Sequence, residues 1–252
     1  MKKEQSKRGA IIVISQFLEE KQVNMVAAVL AVIFVIISIV LGIAGGFMFA
    51  VGEVTGALAS WGVVALFGLI GLILQAIVLY QWSAVINQNL SNTQQMFLYL
   101  KERIEDPLRG EIGFFANRME EFTIPTWPYW VYLAMYIISL FTGWYALLFN
   151  LLGFIFLAFY MHNIFKSTSK LSDLKNKVYH YLKEEKGVPL SDEVYRIPRR
   201  NIITFIILSV ITLSIYWLYQ LVKLSSEINN YIKSDEKMRK EIEEAFRAAA
   251  QA

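Results

Sequence analysis

Long stretches without a charged residue alternate with short charged blocks along this chain. The four uncharged stretches are residues 25–52, 58–82, 122–165 and 201–222. A helix needs about 20 apolar residues to cross a hydrocarbon core of about 30 Å, and lipid offers no partner for unpaired backbone groups. The pattern therefore predicts several helices that span a membrane.

The stretch from Phe122 to Phe165 is too long for a single span, since it has 44 residues. We predict a turn at Thr142-Gly143, with arms near 128–142 and 144–165. The last stretch, Asn201–Val222, just crosses at about 1.5 Å per residue. The sequence thus predicts an all-α, polytopic transmembrane fold with about five spans, arranged as two helical hairpins plus one span.

Three polar segments carry apolar residues at alternating spacings of three and four, which is typical of amphipathic helices. The stripes are Ile86, Leu90, Thr93, Phe97, Leu100 and Ile104; Ile164, Ser167, Leu171, Leu174, Val178 and Tyr181; and Leu224, Ile228, Tyr231, Asp235, Met238 and Ile242. Asp235 interrupts the third stripe. Each stripe needs a partner: another stripe, a second subunit or the membrane surface. The pattern favours packing of the three helices into a cytoplasmic bundle.

A short motif occurs twice, each time after a predicted hairpin. Tyr99-Leu100-Lys101-Glu102 precedes Pro107, Leu108 and Glu111, and Tyr181-Leu182-Lys183-Glu184 precedes Pro189, Leu190 and Glu193 at the same spacing. Seven identities in 13 gapless positions favour duplication of a hairpin-plus-helix unit over chance. We therefore divide the chain into a basic amphipathic segment 1–22, two repeated units 23–121 and 122–200, and a last span with an amphipathic helix, 201–252.

The positions of the charges set the class and the orientation. All 24 Lys and Arg residues lie in four blocks, 1–22, 83–125, 166–200 and 223–252. Between Lys21 and Lys101 only Glu53 is charged, which is too little for a soluble surface. The absence of cysteine excludes a disulfide-stapled secreted domain, and the pattern excludes a soluble enzyme and a nucleic-acid binder.

The positive-inside rule places the first three basic blocks in the cytoplasm, which predicts a multi-pass protein of the cell membrane with a cytoplasmic N-terminus. Five spans would put the tail 223–252 outside, despite its six positive charges. In the alternative, Thr212-Leu213-Ser214 breaks the last segment into a re-entrant pair, and the tail returns inside.

Candidate chemistry is sparse. The two histidines, His162 and His180, are predicted to be interfacial polar residues, and no metal-binding or catalytic motif occurs. Gln75 and Asn150 are the polar candidates inside the spans, and an amide there typically bonds to a neighbouring helix. We therefore predict no catalytic residue, no metal and no cofactor.

Aromatic and basic residues are predicted at the membrane surface. The aromatic anchors are Tyr80, Trp82, Trp127, Trp130, Tyr160, Trp217 and Tyr219. Arg196, Arg199 and Arg200 would face the anionic cytoplasmic leaflet. Ordinary topology anchoring explains these arginines better than specific lipid recognition.

The segment 201–230 combines hydroxyl and aromatic residues in a recognisable order. Its distinctive residues are Ser209, Thr212, Tyr216, Trp217, Tyr219 and Asn229. This order resembles the prokaryotic membrane family called domain of unknown function 4234, although Leu213 and Ser214 replace the family's usual glycine. A weaker likeness lies at 137–145. The resemblance implies a membrane location and supplies no mechanism.

These observations favour a non-enzymatic membrane protein with a structural, assembly or regulatory role through helix-helix association. Its expected partners are the lipid bilayer and either a second copy of itself or another membrane protein, with no nucleic acid. The alternative is a channel or passive transporter for an ion or small solute, with Gln75 and Asn150 lining its path. A membrane enzyme ranks third, because no residue set for its chemistry is visible.

Overall fold

The computed structural model describes residues 20–102, 108–191 and 193–251, and this part of the chain is helical with no strand. Its helices are α1 (Met25–Ala50), α2 (Val54–Lys101), α3 (Leu108–Met119), α4 (Trp127–Ser139), α5 (Ala146–Lys186), α6 (Ile202–Ile211) and α7 (Ile215–Gln251). Single 3-10 turns lie at Glu120–Phe122 and Gly143–Tyr145. The predicted all-α class is confirmed. Most of the predicted basic amphipathic segment 1–22, namely residues 1–19, lies outside the described residues, as do Ile104 and Pro107.

Three described helices are long and apolar enough to cross a membrane: Met25–Ala50, Val54–Lys101 and Gly143–Glu184. The second and third have 48 and 42 residues. At about 1.5 Å per residue they are about 60 to 70 Å long, roughly twice the hydrocarbon thickness. Each of these two helices therefore has an apolar half that continues without a break into a polar half. The polar halves carry the amphipathic stripes that begin at Ile86 and Ile164.

The predicted fifth span is not a continuous helix. α6 ends at Ile211 and α7 begins at Ile215, and between them Leu213 and Ser214 have φ angles of 49° and 72°. The Thr212 side chain supports the break, since its Oγ1 accepts the Tyr216 N–H at 2.9 Å. With ten residues, α6 is about 15 Å long and reaches only about halfway through a hydrocarbon core.

The chain forms two units, and α2 and α7 contribute residues to both. Unit 2 contains Val23–Trp82 and Phe205–Ser226. In it, α1 and α2 pack in opposite directions: Ser60 Oγ donates to the Leu41 carbonyl at 2.8 Å, and Ser38 Oγ donates to the Val64 carbonyl at 3.1 Å. A Cβ on Gly45 would lie 2.9 Å from the Trp61 ring, so this glycine is required for close approach.

Unit 1 contains Met1–Gln22, Ser83–Thr204 and Glu227–Ala252. Stripe residues of α2, α5 and α7 contribute to its core, and those that the structure describes in this unit are buried apart from the half-buried Tyr181. Phe97 of α2 packs against Tyr179 of α5 with ring centroids 5.7 Å apart. α2 and α5 therefore pack against each other along their stripes.

The second halves of the two motif copies adopt different local structures. Leu108 and Glu111 belong to α3, whereas Leu190 and Glu193 lie in an irregular segment after α5. Both copies begin in the last turns of a long helix, before its end at Lys101 or at Lys186. Duplication stays a prediction, because the matching residues do not adopt matching folds throughout.

Candidate functional site

Asp235 lies at the centre of unit 1 and is 0% exposed, although it carries a carboxylate. The apolar stripe of α7 places it there, because Tyr231 and Met238, its neighbours along the stripe, are also buried. An isolated buried charge is strongly unfavourable unless it is paired and hydrogen-bonded. The groups around Asp235 are therefore the strongest candidate for a functional or organising site.

Both carboxylate oxygens of Asp235 accept hydrogen bonds from two other helices. Oδ2 accepts from Asn89 Nδ2 at 2.8 Å, from Lys175 Nζ at 2.9 Å and from Thr93 Oγ1 at 3.2 Å. Oδ1 accepts from the Tyr179 hydroxyl at 2.8 Å. Asn89 and Thr93 come from α2, whereas Lys175 and Tyr179 come from α5. One side chain of α7 thus connects three helices.

A second ion pair extends this cluster toward the N-terminal segment. Arg239, one helical turn after Asp235, has its Nε 3.2 Å from Asp235 Oδ2, and its Nη2 donates to Glu20. Asn89 Nδ2 also donates to Glu20 Oε1 at 3.1 Å. The side chains of Glu20, Lys175, Asp235 and Arg239 are all 0% exposed. These two anions and two cations balance, and the cluster is electrically neutral as a whole.

We call this cluster the Asp235 network. Its members are Glu20, Asn89, Thr93, Lys175, Tyr179, Asp235 and Arg239. The Tyr231 ring also faces it, since Lys175 Nζ lies 5.0 Å from the ring centroid. The network satisfies the central carboxylate fully, which a buried polar cluster needs in order to be stable.

The burial of these groups shifts their proton affinities in different directions. Burial lowers the pKa of Lys175 to about 8, against the opposing attraction of Asp235. Burial alone would raise the pKa of Asp235, but the charges of Lys175 and Arg239 outweigh it and hold that pKa below its ordinary value. Burial and the Asp235 charge both raise the pKa of the Tyr179 hydroxyl. At neutral pH the Asp235–Lys175 pair is therefore ionised, and Tyr179 is a neutral donor.

The network joins three helices through hydrogen bonds and ion pairs. Its four charged side chains are closed to solvent, and a catalytic acid or base must reach the group on which it acts. In the ranges that the structure describes, no group of three or more His, Cys, Asp or Glu residues could hold a metal ion.

Both intramembrane amides predicted from the sequence bond to other side chains. Gln75 Oε1 accepts from Trp217 Nε1 at 2.9 Å within unit 2. Asn150 is exposed, and its Oδ1 accepts from Ser139 Oγ at 3.1 Å within unit 1. The structure therefore does not bring Gln75 and Asn150 together in one unit.

The predicted aromatic anchors divide into two groups. Tyr80, Trp127, Trp130 and Tyr219 are exposed, as membrane-surface anchors would be. Trp82 and Tyr160 are 0% exposed, and Trp217 is half-buried. The Trp82 Nε1 donates to Ser225 Oγ at 2.8 Å. The rings of Trp82 and Tyr160 pack inside their units, so the structure does not place them as exposed anchors.

The three predicted surface arginines all contact acidic side chains. Arg196 lies 3.1 Å from Glu193, and Arg199 lies 3.1 Å from Asp173. Arg200 pairs with Glu227, which is almost fully buried. Their charges are therefore partly neutralised within unit 1.

The sequence did not indicate that Asn89, Lys175 and Tyr179 meet around Asp235. One signal was available, since Asp235 occupies a core position of an otherwise regular apolar stripe. A carboxylate at such a position requires a buried cation, but nothing in the spacing showed which of the 24 Lys and Arg residues supplies it.

Comparison with known proteins bears on the C-terminal part of the chain. No curated protein and no solved structure matches the chain. A protein family does match part of the chain, at residues 200–246. This segment contains Asp235 and Arg239 but none of the other network members. This segment matches the family described as Domain of unknown function (DUF4234), and the resemblance seen at 201–230 is confirmed.

Proposed function

We propose that this chain is a non-enzymatic integral membrane protein with a structural, assembly or regulatory role through helix-helix association. The observation that carries the proposal is the Asp235 network. It connects α2, α5 and α7 through charges that are buried away from solvent. Such a cluster holds helices in one arrangement and so presents their outer faces to a partner in a defined geometry.

The physical argument is one of specificity. A purely apolar core of similar volume would often stabilise a bundle as well or better, whereas a buried ion pair penalises every arrangement that separates its members. If α5 were shifted by one residue along α7, the Asp235 carboxylate would lose Lys175 or Tyr179. The network therefore favours one register of the three helices over its competitors, which is what a scaffold requires.

The outer face of α7 is suited to a protein partner. It carries Lys233, Glu236, Lys237, Lys240 and Glu241 around a shallow depression. Lys240 Nζ and Glu236 Oε1 lie 2.6 Å apart. Charges of both signs on an exposed helix face discriminate between partners by complementarity. A second copy of the chain or another membrane protein is the proposed partner.

The proposed topology places the tail 223–252 in the cytoplasm with the other basic blocks. Asp235 bonds directly to Asn89 and Lys175, and a membrane cannot lie between bonded side chains. The break at Thr212–Ser214 supports a re-entrant α6–α7 pair that enters and leaves on one side. Both hairpins then enter the membrane from the cytoplasmic side and return to it, with the short α4 as one arm of the second hairpin, and the N-terminus is cytoplasmic.

Labelling of single cysteines from one side of the membrane tests this topology, and the chain has no cysteine of its own. Gln95→Cys and Lys237→Cys, both at exposed positions, are expected to react with an impermeant maleimide only from the cytoplasmic side. Glu53→Cys, in the turn between α1 and α2, should react only from the opposite side. Labelling of Lys237→Cys and Glu53→Cys from the same side would contradict the arrangement.

Association is tested by cross-linking in native membranes. A short bifunctional thiol reagent should convert Lys237→Cys, on the outer face of α7, into a product larger than the monomer. Lys166→Cys, exposed on α5 and outside the charged face of α7, is the matched control and should remain monomeric. A protein that stays monomeric with both variants and co-purifies with nothing would refute a role through helix-helix association.

No contact among the described residues favours the alternative function, a channel or passive transporter. Gln75 and Asn150, its proposed polar lining, each accept a hydrogen bond from a side chain of their own unit. A scaffold accounts for the same residues without a pore.

A further inference from the structure

An apolar groove runs between α1 and the first turns of α7 in unit 2. Its volume is about 740 Å³. Apolar side chains of both helices form the walls, among them Val32, Ile36, Val40, Ile215, Leu218 and Val222. Lys223 and Ser226 are polar residues near one end, and the Tyr219 hydroxyl is the third polar group of the lining. The groove thus combines a long hydrocarbon wall with a single cation.

Hydrogen bonds fix which end of the groove carries the charge. Gln81 Oε1 accepts from the backbone N–H of Asn24, and the next residue, Trp82, donates to Ser225. The start of α1 therefore lies at the level of Ser225, and Lys223 is beside Met25. Ile215, at the opposite end of the lining, follows the helix break directly.

The groove is longer than one membrane leaflet is thick. From Met25 to Val40, α1 rises by about 22 Å, and one leaflet contributes about 15 Å of the hydrocarbon core. The groove therefore extends from the membrane surface, where α1 begins, to beyond the midplane.

We propose that this groove binds one acyl chain of an anionic phospholipid, with the lipid phosphate at Lys223 and Ser226. The apolar walls match the hydrocarbon chain, and the cation complements the charge of the head group. The proposal rests on the placement of unit 2 in a membrane, which the proposed function also assumes. It is independent of the Asp235 network, which belongs to unit 1.

Thermal unfolding of the detergent-purified full chain with added lipid tests the inference. Phosphatidylglycerol should raise the unfolding temperature at lower concentration than phosphatidylcholine with the same acyl chains, by about five-fold for one lysine near the surface. Lys223→Gln should abolish this preference and keep the response common to both lipids. Ile36→Trp, which fills the groove, should weaken the response to both.

Matched controls separate the groove from general effects. Lys166→Gln removes an exposed lysine of α5 outside the groove, and Ile73→Trp adds a tryptophan at an exposed position of α2 that does not line it. Both should respond to lipid as the parent chain does. Glycerol phosphate alone should have no effect, since it lacks the acyl chain.

Four outcomes would overturn the inference: equal responses of the parent to both lipids, an unchanged preference in Lys223→Gln, an unchanged response in Ile36→Trp, or full stabilisation by glycerol phosphate. Loss of a cross-linked oligomer in Ile36→Trp with unchanged lipid response would assign the groove to a second copy instead. Other results would refute the proposed function. These are a protein that stays monomeric in the cross-linking experiment, or a chain that is soluble without detergent.

Discussion

Replacing Asp235 with Asn is expected to destabilise the protein by about 3–5 kcal/mol, because it leaves a buried cation without its counter-charge. The substitution keeps the shape of the side chain, so the loss reports the charge and its hydrogen bonds. For a chain of this size the unfolding temperature should fall by roughly 10 °C. Thermal unfolding of the purified variant in detergent measures this.

Two further variants separate the network from a general sensitivity of α7. Glu236→Gln alters the adjacent residue, whose ion pair with Lys240 is partly exposed, and should cost no more than about 1 kcal/mol. The double variant Asp235→Asn/Lys175→Met removes a buried charge of each sign and should be more stable than Asp235→Asn alone. A double variant that loses as much as both single changes together would show that the two charges do not depend on each other.

The stability of the parent protein is expected to rise with pH in the range where Lys175 titrates. Burial lowers the pKa of Lys175 to about 8 in the folded chain, whereas its ordinary value is 10.5. Between these values the unfolded chain binds more protons, so the free energy of unfolding increases with pH. From pH 8 to about pH 9.5 the gain from this one group should be about 1.5 kcal/mol.

Comparison with Lys175→Met isolates this effect. The variant should lack the rise, whereas Lys177→Met, at an exposed position of the same helix, should keep it. Measurements stop near pH 9.5 because Tyr179 and Tyr231 act in the opposite direction: burial raises the pKa of both hydroxyls, so their contribution to stability is lost as the unfolded tyrosines ionise. Equal pH profiles for the parent and Lys175→Met would contradict the burial of a protonated lysine beside Asp235.

The apolar spans could be predicted because lipid imposes a length and a composition that the sequence displays directly. Met25–Ala50 begins at the predicted residue, and its end differs by two residues from the predicted 52. The continuation of α2 to Lys101 also followed from the 3,4 spacing beyond residue 82. The break at Leu213 was present only as an alternative, because the segment is as apolar as a true span and composition is insensitive to a backbone φ angle.

The candidate site was much harder to predict than the spans. Asp235 was recognised as an interruption of an apolar stripe, but its partners are separated from it by 60 residues in the case of Lys175 and by 146 in the case of Asn89. Local patterns cannot specify pairings at such distances. Trp82 shows the same limit, since a tryptophan near the end of a span is an anchor or a core residue depending on which helix packs against it.

The sequence by itself determined the helical class, the positions of the apolar segments and the buried faces of the polar helices, because each depends on periodicity or on transfer from water to hydrocarbon. Only the tertiary structure decided which charges are buried together and where the last apolar segment breaks. Pairing energies depend on distances between side chains, and three helices from distant parts of the chain have to meet before those distances exist.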